Sequence, residues 1–403
     1  MSIIFQSVLP FLAMLVVLIV VHELGHFVTA KLAGVKVLEF GLGYPPRLWG
    51  IKRGETEYTF NALPLGGFVR LLGEEDPGDP RSLAAKPRWV RLVVLGSGAA
   101  MNVALAVFLF GLALTIPREV DISRARIAEV VPGSPAEEAG LKPGDTIFAV
   151  NGREVQSIGE LGYQIRLNLG ETVTFKVRRT EGTSGAEFIE VPAYARWSAP
   201  NYIDEDGNER PQGPTGITIG PAYGSIQPIP PEEREEIAKE LLPGEPVPTT
   251  RLVPFSETQW KPPWEALPEG ARRAYDSIIL ARNEIISRIK GGVGGSGGFK
   301  VTGPVGIAQL TGEVVEEAGW KSLMDFAALI SMNLAVLNIL PLPMLDGGRI
   351  VFVLLEFLRG GRRVAPQKEA LVHFVGLVAL LTLAVVITYF DVVRIFQGEG
   401  ILR

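Results

Sequence analysis

Four stretches of the sequence are strongly apolar and contain no Asp, Glu, Lys or Arg: residues 3–21, 92–116, 326–345 and 370–390. A helix needs about 20 apolar residues to cross a bilayer, so each stretch is long enough to be a membrane span. The first stretch lacks the basic start and the small-residue cleavage site of a signal peptide, so we expect it to be retained. The pattern predicts a polytopic α-helical membrane protein with about four transmembrane helices.

Basic residues are concentrated in two of the segments that connect these spans. Residues 31–91 contain ten Lys and Arg residues, and residues 359–368 contain four. Loops that stay in the cytoplasm are enriched in Lys and Arg. We therefore predict that both segments lie on the cytoplasmic side, and that both chain ends and the long section 117–320 lie on the other side.

Short β-type runs follow the first span, at residues 35–40, 58–60 and 67–72, separated by glycine and proline. Such runs predict short strands joined by turns. Backbone of this kind at membrane depth must be covered by protein or line a wet cavity. We expect a membrane-associated β-hairpin or loop.

Residues 125–191 have the pattern of a compact α+β domain. Ser134 is placed to cap a short helix, Gly140 to end it, and the Asn-Gly pair at 151–152 to form a hairpin turn. A run at 216–220 predicts a strand that returns to the same sheet. This block resembles a PDZ domain of the bacterial protease type. The resemblance implies either peptide binding at a sheet edge or a rigid spacer that excludes bulky substrates.

The section after this domain is rich in proline. Residues 192–268 hold fifteen of the thirty prolines, so we expect a largely irregular, solvated segment. A helix is predicted over residues 269–290, lying either along the membrane surface or against the PDZ-like domain. Residues 291–298 are predicted to be a flexible hinge from their glycine content.

Composition limits the chemistry that this chain can perform. It has no cysteine, which excludes disulfides, thiolate metal sites and a cysteine nucleophile. A net charge of −5 gives no basic excess that would favour nucleic acid. Any metal must therefore be held by carboxylates or by the three histidines, His22, His26 and His373.

The first span ends in His22-Glu23-Leu24-Gly25-His26. Residues four apart share a helix face, so the two histidines can bind one zinc ion while Glu23 lies beside the bound water. A helix with two surface histidines is the alternative explanation. Ionisable groups at the end of an apolar helix favour zinc binding, because charged groups in a membrane are costly and need a functional reason.

A catalytic zinc site takes three protein ligands and keeps one position open. His373 is one candidate for the third ligand, but it has no nearby acidic partner in the sequence. Asp346 is the better candidate, because it follows the third span at the cytoplasmic end, where the first span also ends. Pro341 and Pro343 interrupt the helix before it and let the carboxylate turn towards the metal.

These motifs identify the chain as similar to the site-2 proteases, in the bacterial branch with a PDZ domain that includes the sigma-E regulator protease. The resemblance rests on five segments, at residues 22–26, 63–69, 131–153, 303–307 and 338–348. It implies Zn²⁺-dependent cleavage of single-span membrane proteins within the bacterial inner membrane, with the PDZ-like domain extracytoplasmic. The substrates implied are anti-sigma factors first cut by a site-1-type protease, or remnant signal peptides.

Two asparagines are candidate substrate-binding residues. The resemblance implies that Asn338 holds substrate and that the segment 35–72 presents an edge strand to it. Asn102 lies among small residues of the second span, which serve either close helix packing or the lining of the active-site cavity. One departure from the family is a single PDZ-like block, where its best-known member has two.

Two other functions are compatible with the sequence: a membrane metal transporter or sensor, and a PDZ membrane scaffold with a decayed site. The predicted division of the chain is as follows: 1–34, first span with the two histidines; 35–88, β-loop and linker; 89–117, second span; 121–222, PDZ-like domain; 223–268, proline-rich segment; 269–321, amphipathic helix and glycine-rich linker; 322–348, third span with Asn338 and Asp346; 349–403, cytoplasmic loop and fourth span.

Overall fold

The structure is a computed structural model, and it describes residues 7–74, 76–181, 184–203, 209–210, 212–240, 247–291 and 303–397. Its contacts divide the chain into two compact units. The first comprises Met1–Ile116, Lys261–Ile278 and Lys300–Arg403, and the second comprises Pro117–Trp260 and Ile279–Phe299.

The first unit begins with two long helices that flank a β-hairpin. Its elements are α1 (Leu9–Leu32), β1 (Val37–Arg53), β2 (Thr56–Leu71) and α2 (Arg88–Thr115). The hairpin strands are much longer than the short strands that the sequence predicts. Residues 39–42 of β1 pair with two parts of β2, residues 57–60 and residues 67–70, so β2 folds back across β1.

The second unit contains most of the β structure. In chain order its elements are β3 (Arg118–Asp121), β4 (Ala125–Val130), α3 (Pro135–Glu138), β5 (Thr146–Val150), β6 (Arg153–Glu154), α4 (Ile158–Leu167), β7 (Thr172–Glu181), β8 (Ser184–Tyr194), β9 (Tyr202–Ile203), β10 (Glu209–Arg210), β11 (Ile217–Pro221), β12 (Gly224–Pro228), α5 (Pro231–Glu240), β13 (Thr250–Pro254) and β14 (Ser256–Gln259).

A long helix, α6 (Pro263–Gly291), continues the chain, and the first unit is completed by α7 (Pro304–Ala318), α8 (Ser322–Ile339), α9 (Asp346–Leu358) and α10 (Pro366–Phe396). In the described part of the chain, α1, α2, α8 and α10 are the helices long and apolar enough to cross a membrane. The four predicted spans are therefore present as helices. The third is shorter than predicted, because its helix ends at Ile339 rather than at Leu345.

The main sheet of the second unit has the strand order β11-β4-β5-β7-β8, with β6 paired to β5. Its core includes Phe175, Ile147 and Leu161. The local signals act as predicted: Ser134 accepts a hydrogen bond at the start of α3, and the predicted returning strand is β11, paired with β4.

The expectation of a largely irregular proline-rich segment was wrong for much of its described part. β12 pairs with β13, and α5 lies between these two strands in the chain. β14 pairs with β3. Pro221, Pro228 and Pro254 end strands, and Pro231 and Pro263 begin helices, where a missing backbone N–H is tolerated. Residues 241–246 lie outside the described part.

The helix predicted over residues 269–290 is longer, because α6 begins at Pro263. Within the second unit, its Asn283 donates to the backbone carbonyls of Arg166 and Leu167 at the end of α4, at 2.8 and 3.0 Å. This contact favours packing on the β-rich domain for that part of the helix. The predicted hinge at 291–298 lies almost wholly outside the described residues.

Two helices of the first unit were not predicted. The start of α7 is capped by Asp391 of α10, whose carboxylate accepts from the backbone amides of Gly303 and Gly306, each at 2.9 Å. The end of α9 is tied to α2, because Arg91 donates to the buried Glu356 at 2.6 Å. These contacts fix the short helices on either side of α8.

Candidate metal centre

His22 and His26 lie one turn apart near the end of α1, and Asp346 is the first residue of α9. Nε2 of His22 and Nε2 of His26 are 3.2 Å apart. Oδ2 of Asp346 lies 3.2 Å from each of these nitrogens. Within the described residues, this is the one cluster of three metal-ligating side chains whose donor atoms converge.

The dimensions of this triangle fit a zinc ion. Zinc with nitrogen and oxygen ligands about 2.0–2.1 Å away in a tetrahedron has neighbouring ligand atoms about 3.3 Å apart. Oδ2 of Asp346 is buried and makes no hydrogen bond among the described residues. A zinc site with one open position requires three donor atoms at tetrahedral spacing. These three atoms meet that requirement, and the carboxylate oxygen among them has no hydrogen-bond partner in the described residues.

The protonation state of His26 also fits a metal ligand. Its Nδ1 is 2.8 Å from the backbone carbonyl oxygen of Val94 on α2. A carbonyl only accepts, so Nδ1 carries the proton and Nε2 presents its lone pair to the centre of the triangle. A hydrogen bond from the ring nitrogen that faces away from the metal fixes the tautomer and orientation of a metal-binding histidine.

Asn102 is the partner of His22. Its side-chain nitrogen lies 3.4 Å from Nδ1 of His22, and its side chain is buried. A half turn of the amide places the oxygen there instead, where it accepts from Nδ1–H and leaves Nε2 free for a metal. The structure therefore places Asn102 behind the metal-binding pair, whereas its predicted contact with substrate stays a prediction.

Two glycines let α2 approach the histidines. A Cβ built on Gly25 would lie 2.8 Å from Cγ of Met101 and closer still to the backbone oxygen of Ser97. A Cβ on Gly98 would lie 2.6 Å from Cε1 and 2.7 Å from Nε2 of His22, and closer still to Nε2 of His26. Gly98 was not predicted from the sequence, because nothing distinguishes it from the other small residues at 96–100.

The turn that delivers Asp346 is formed by residues 340–345, between α8 and α9. The two glycines after Asp346 are required by close packing. A Cβ on Gly348 would lie 3.0 Å from the carbonyl carbon of Leu342 and 3.1 Å from Cα of Pro343, and one on Gly347 would meet the backbone of Ile339 and Leu340. The first turn of α9 therefore folds tightly beneath the proline turn.

Glu23 lies between the histidines and the β-hairpin. Its carboxylate lies near the backbone amide of Val69 in β2. A Cβ on the neighbouring Gly67 would lie 3.3 Å from Cγ of Glu23. The folded-back part of β2 thus runs directly past the predicted catalytic carboxylate.

The other predicted site residues are more peripheral. Asn338 is half-buried near the end of α8, eight positions before Asp346, and its contact with substrate stays a prediction. His373 is not part of the metal-ligating cluster. Its Nδ1 accepts from the backbone amide of Met344 instead.

The chain is similar to known zinc metalloproteases. The sequence profile of peptidase family M50 matches residues 10–383. A putative zinc metalloprotease of Clostridium perfringens is 33% identical over 378 residues, covering 93% of this chain and 95% of the relative. The zinc metalloprotease RasP of Oceanobacillus iheyensis is 25% identical, covering 97% of this chain and 99% of the relative. The solved PDZ domain of an SdrC-like protein from Listeria monocytogenes is 23% identical, covering 25% of this chain and 90% of that domain, with a TM-score of 0.17.

Proposed function

This chain belongs to peptidase family M50 and is a multi-pass membrane zinc metalloprotease, and from this premise we propose that it cuts single-span membrane proteins within the bilayer. The observation that carries the proposal is the 3.2 Å triangle of His22, His26 and Asp346. Its ligands come from the ends of two apolar stretches, so a metal held there lies among membrane helices.

We assign His22, His26 and Asp346 as the zinc ligands and Glu23 as the general base. Bound zinc would act as a Lewis acid, lowering the pKa of its water and polarising the scissile carbonyl. Glu23 takes a proton from the water and delivers it to the leaving amine nitrogen as the peptide bond breaks. Asn102 and the Val94 carbonyl hold the two imidazoles in orientation for this step.

The edge of β2 beside Glu23 supports recognition of substrate in extended form. Residues 67–70 pair with β1 on one side, and the Val69 amide lies near Glu23. An unwound substrate segment added along this edge would bring its peptide bonds to the catalytic carboxylate. Asn338, near the end of α8, is the proposed polar contact to the substrate backbone.

The substrate class follows from the resemblance to site-2 proteases. We propose anti-sigma factors shortened by a site-1-type protease, or remnant signal peptides, as substrates. The basic segments at 31–91 and 359–368 support an active site near the cytoplasmic face of a bacterial inner membrane. The β-rich unit is then extracytoplasmic, where a PDZ-like domain binds peptides or excludes substrates that have not been shortened.

Cleavage of single-span test proteins by the full chain in lipid vesicles tests this function. Wild type should cleave and should lose activity with a zinc chelator, and Glu23→Gln should bind zinc but not cleave. Glu316→Gln, which changes an exposed carboxylate on α7, is the matched control and should cleave normally. A Glu23→Gln variant that retains activity would favour the rival function of metal transport or sensing.

A further inference from the structure

The third histidine contacts the turn that carries Asp346. His373 is buried on α10, and its Nδ1 lies 2.9 Å from the backbone nitrogen of Met344. Met344 is two residues before Asp346. One hydrogen bond therefore joins the fourth span directly to the turn that delivers the carboxylate.

Met344 has an unusual backbone conformation. Its φ is +79°, in the left-handed region that side-chain-bearing residues seldom adopt. Such a conformation is strained and persists only where the surroundings hold it. The hydrogen bond from the Met344 amide to His373 is a contact made directly by this backbone.

A second feature of α10 supports the same turn. Gly376 lies one helical turn after His373, and a Cβ built on it would lie 3.0 Å from the carbonyl carbon and oxygen of Pro343 and closer still to its Cβ. Pro343 therefore packs into the space that a side chain at Gly376 would occupy. The fourth span therefore leaves space for Pro343 and provides a hydrogen-bond acceptor for Met344.

The chemistry of the contact defines what can replace it. A backbone amide only donates, so Nδ1 of His373 carries the lone pair and the neutral ring keeps its proton on Nε2. The bond needs an acceptor atom at the position of Nδ1 and no charge. Asparagine places its oxygen near that position, whereas leucine, of nearly the same shape, has no acceptor there.

We propose that His373 is a positioning residue for the metal centre: it holds Met344 in its left-handed conformation and so sets the Asp346 carboxylate beside the two imidazoles. The inference rests on the proposed role of Asp346 as a zinc ligand. It assigns to the fourth span, which supplies no ligand, a part in metal binding.

The test compares His373→Asn with His373→Leu in the full-length protein. Zinc affinity is measured by competition with a chelator, the ligand field by the absorption spectrum of the Co²⁺-substituted protein, and folding by the Tm of the metal-free protein. Loss of a hydrogen bond made by a metal ligand itself lowers affinity about 10–100-fold, and because His373 bonds the backbone two residues before Asp346, the loss should be at most of that size. We expect that loss and an altered Co²⁺ spectrum for leucine, and rescue of both by asparagine.

Two further variants separate positioning from packing. Met344→Gly adopts the left-handed conformation without strain, so His373→Leu should lower zinc affinity less in that background than in wild type. Gly376→Ala leaves His373 in place but pushes Pro343, and should weaken zinc binding in the same direction. If His373→Leu does not fold, the zinc affinity of Gly376→Ala still tests whether the fourth span positions the turn.

The outcomes separate this inference from the proposed function. Asp346→Asn is the reference variant: if it keeps wild-type zinc affinity, the metal centre itself is wrongly assigned. If Asp346→Asn loses affinity while His373→Leu and Gly376→Ala bind zinc as wild type does, the positioning role is overturned. Equal losses in the asparagine and leucine variants would also overturn it, because the acceptor would then not matter.

Discussion

Replacing Gly98 by alanine is the most informative single change near the metal centre. The added methyl group would lie 2.6 Å from Cε1 of His22, whereas ordinary contacts begin at 3.4 Å. The imidazole or the whole of α2 must therefore retreat by about 0.8 Å, the difference between these two distances. Metal–ligand distances tolerate deviations of about 0.2 Å, so the site cannot absorb this shift without losing its geometry.

We expect Gly98→Ala to bind zinc poorly and to lose cleavage. A misplacement of about 1 Å costs roughly 10²-fold in rate, so activity should fall by about that factor. Metal content of the purified protein and cleavage of a single-span substrate in vesicles are the measurements. Gly96→Ala is the matched control on the same helix, because a Cβ there meets nothing within 4 Å.

The two alanine variants must behave differently. Gly96→Ala should bind zinc and cleave as wild type does, with a similar Tm. If Gly98→Ala also binds one zinc ion with wild-type affinity and cleaves normally, the imidazoles do not lie where the geometry puts them, and the reasoning from close packing fails.

Three other perturbations test separate parts of the structure. Gly67→Ala brings a methyl group to 3.3 Å from Cγ of Glu23. The cleavage rate should therefore fall by no more than about tenfold, while the zinc content stays unchanged. A loss of zinc would contradict this. Asp391→Ala leaves two amides at the start of α7 unpaired and should lower stability by about 1–3 kcal/mol, seen as a lower Tm; an unchanged Tm would exclude the cap. Burial raises the pKa of Glu356, but the hydrogen bond and charge of Arg91 outweigh it and hold the pKa below its ordinary value. The stability that this carboxylate contributes is present above its ordinary pKa and is lost as the pH falls. The free energy of unfolding of Glu356→Gln should therefore depend less on pH below about 4.3 than that of wild type. An acid-unfolding profile identical to that of wild type would refute this.

The spans and the candidate ligands could be predicted from the sequence because their signals are local. A charge-free run of about 20 residues has few alternatives to a membrane helix, and two histidines four apart on a helix share a face whatever surrounds them. The pairing with Asp346 required only that the two stretches end on the same side of the membrane.

The remaining features depend on contacts between distant segments. Pro341 and Pro343 predicted an interruption before Asp346, but the end of α8 at Ile339 could not be predicted, because Leu340 to Leu345 are as apolar as the helix before them. The strands within the proline-rich segment form through partners that are distant along the chain, as β14 does on β3 and β12 does on β13. Neither the role of Gly98 nor that of His373 has a sequence signature, because each depends on which atoms another helix brings near.

The central claim is that one zinc ion joins α1 to α9. X-ray anomalous diffraction from the zinc-loaded protein, recorded at the zinc absorption edge, tests it most directly. We expect a single peak about 2.0–2.2 Å from Nε2 of His22, Nε2 of His26 and one carboxylate oxygen of Asp346. A peak bound by the two imidazoles with Asp346 turned away, or a peak elsewhere in the chain, would contradict it.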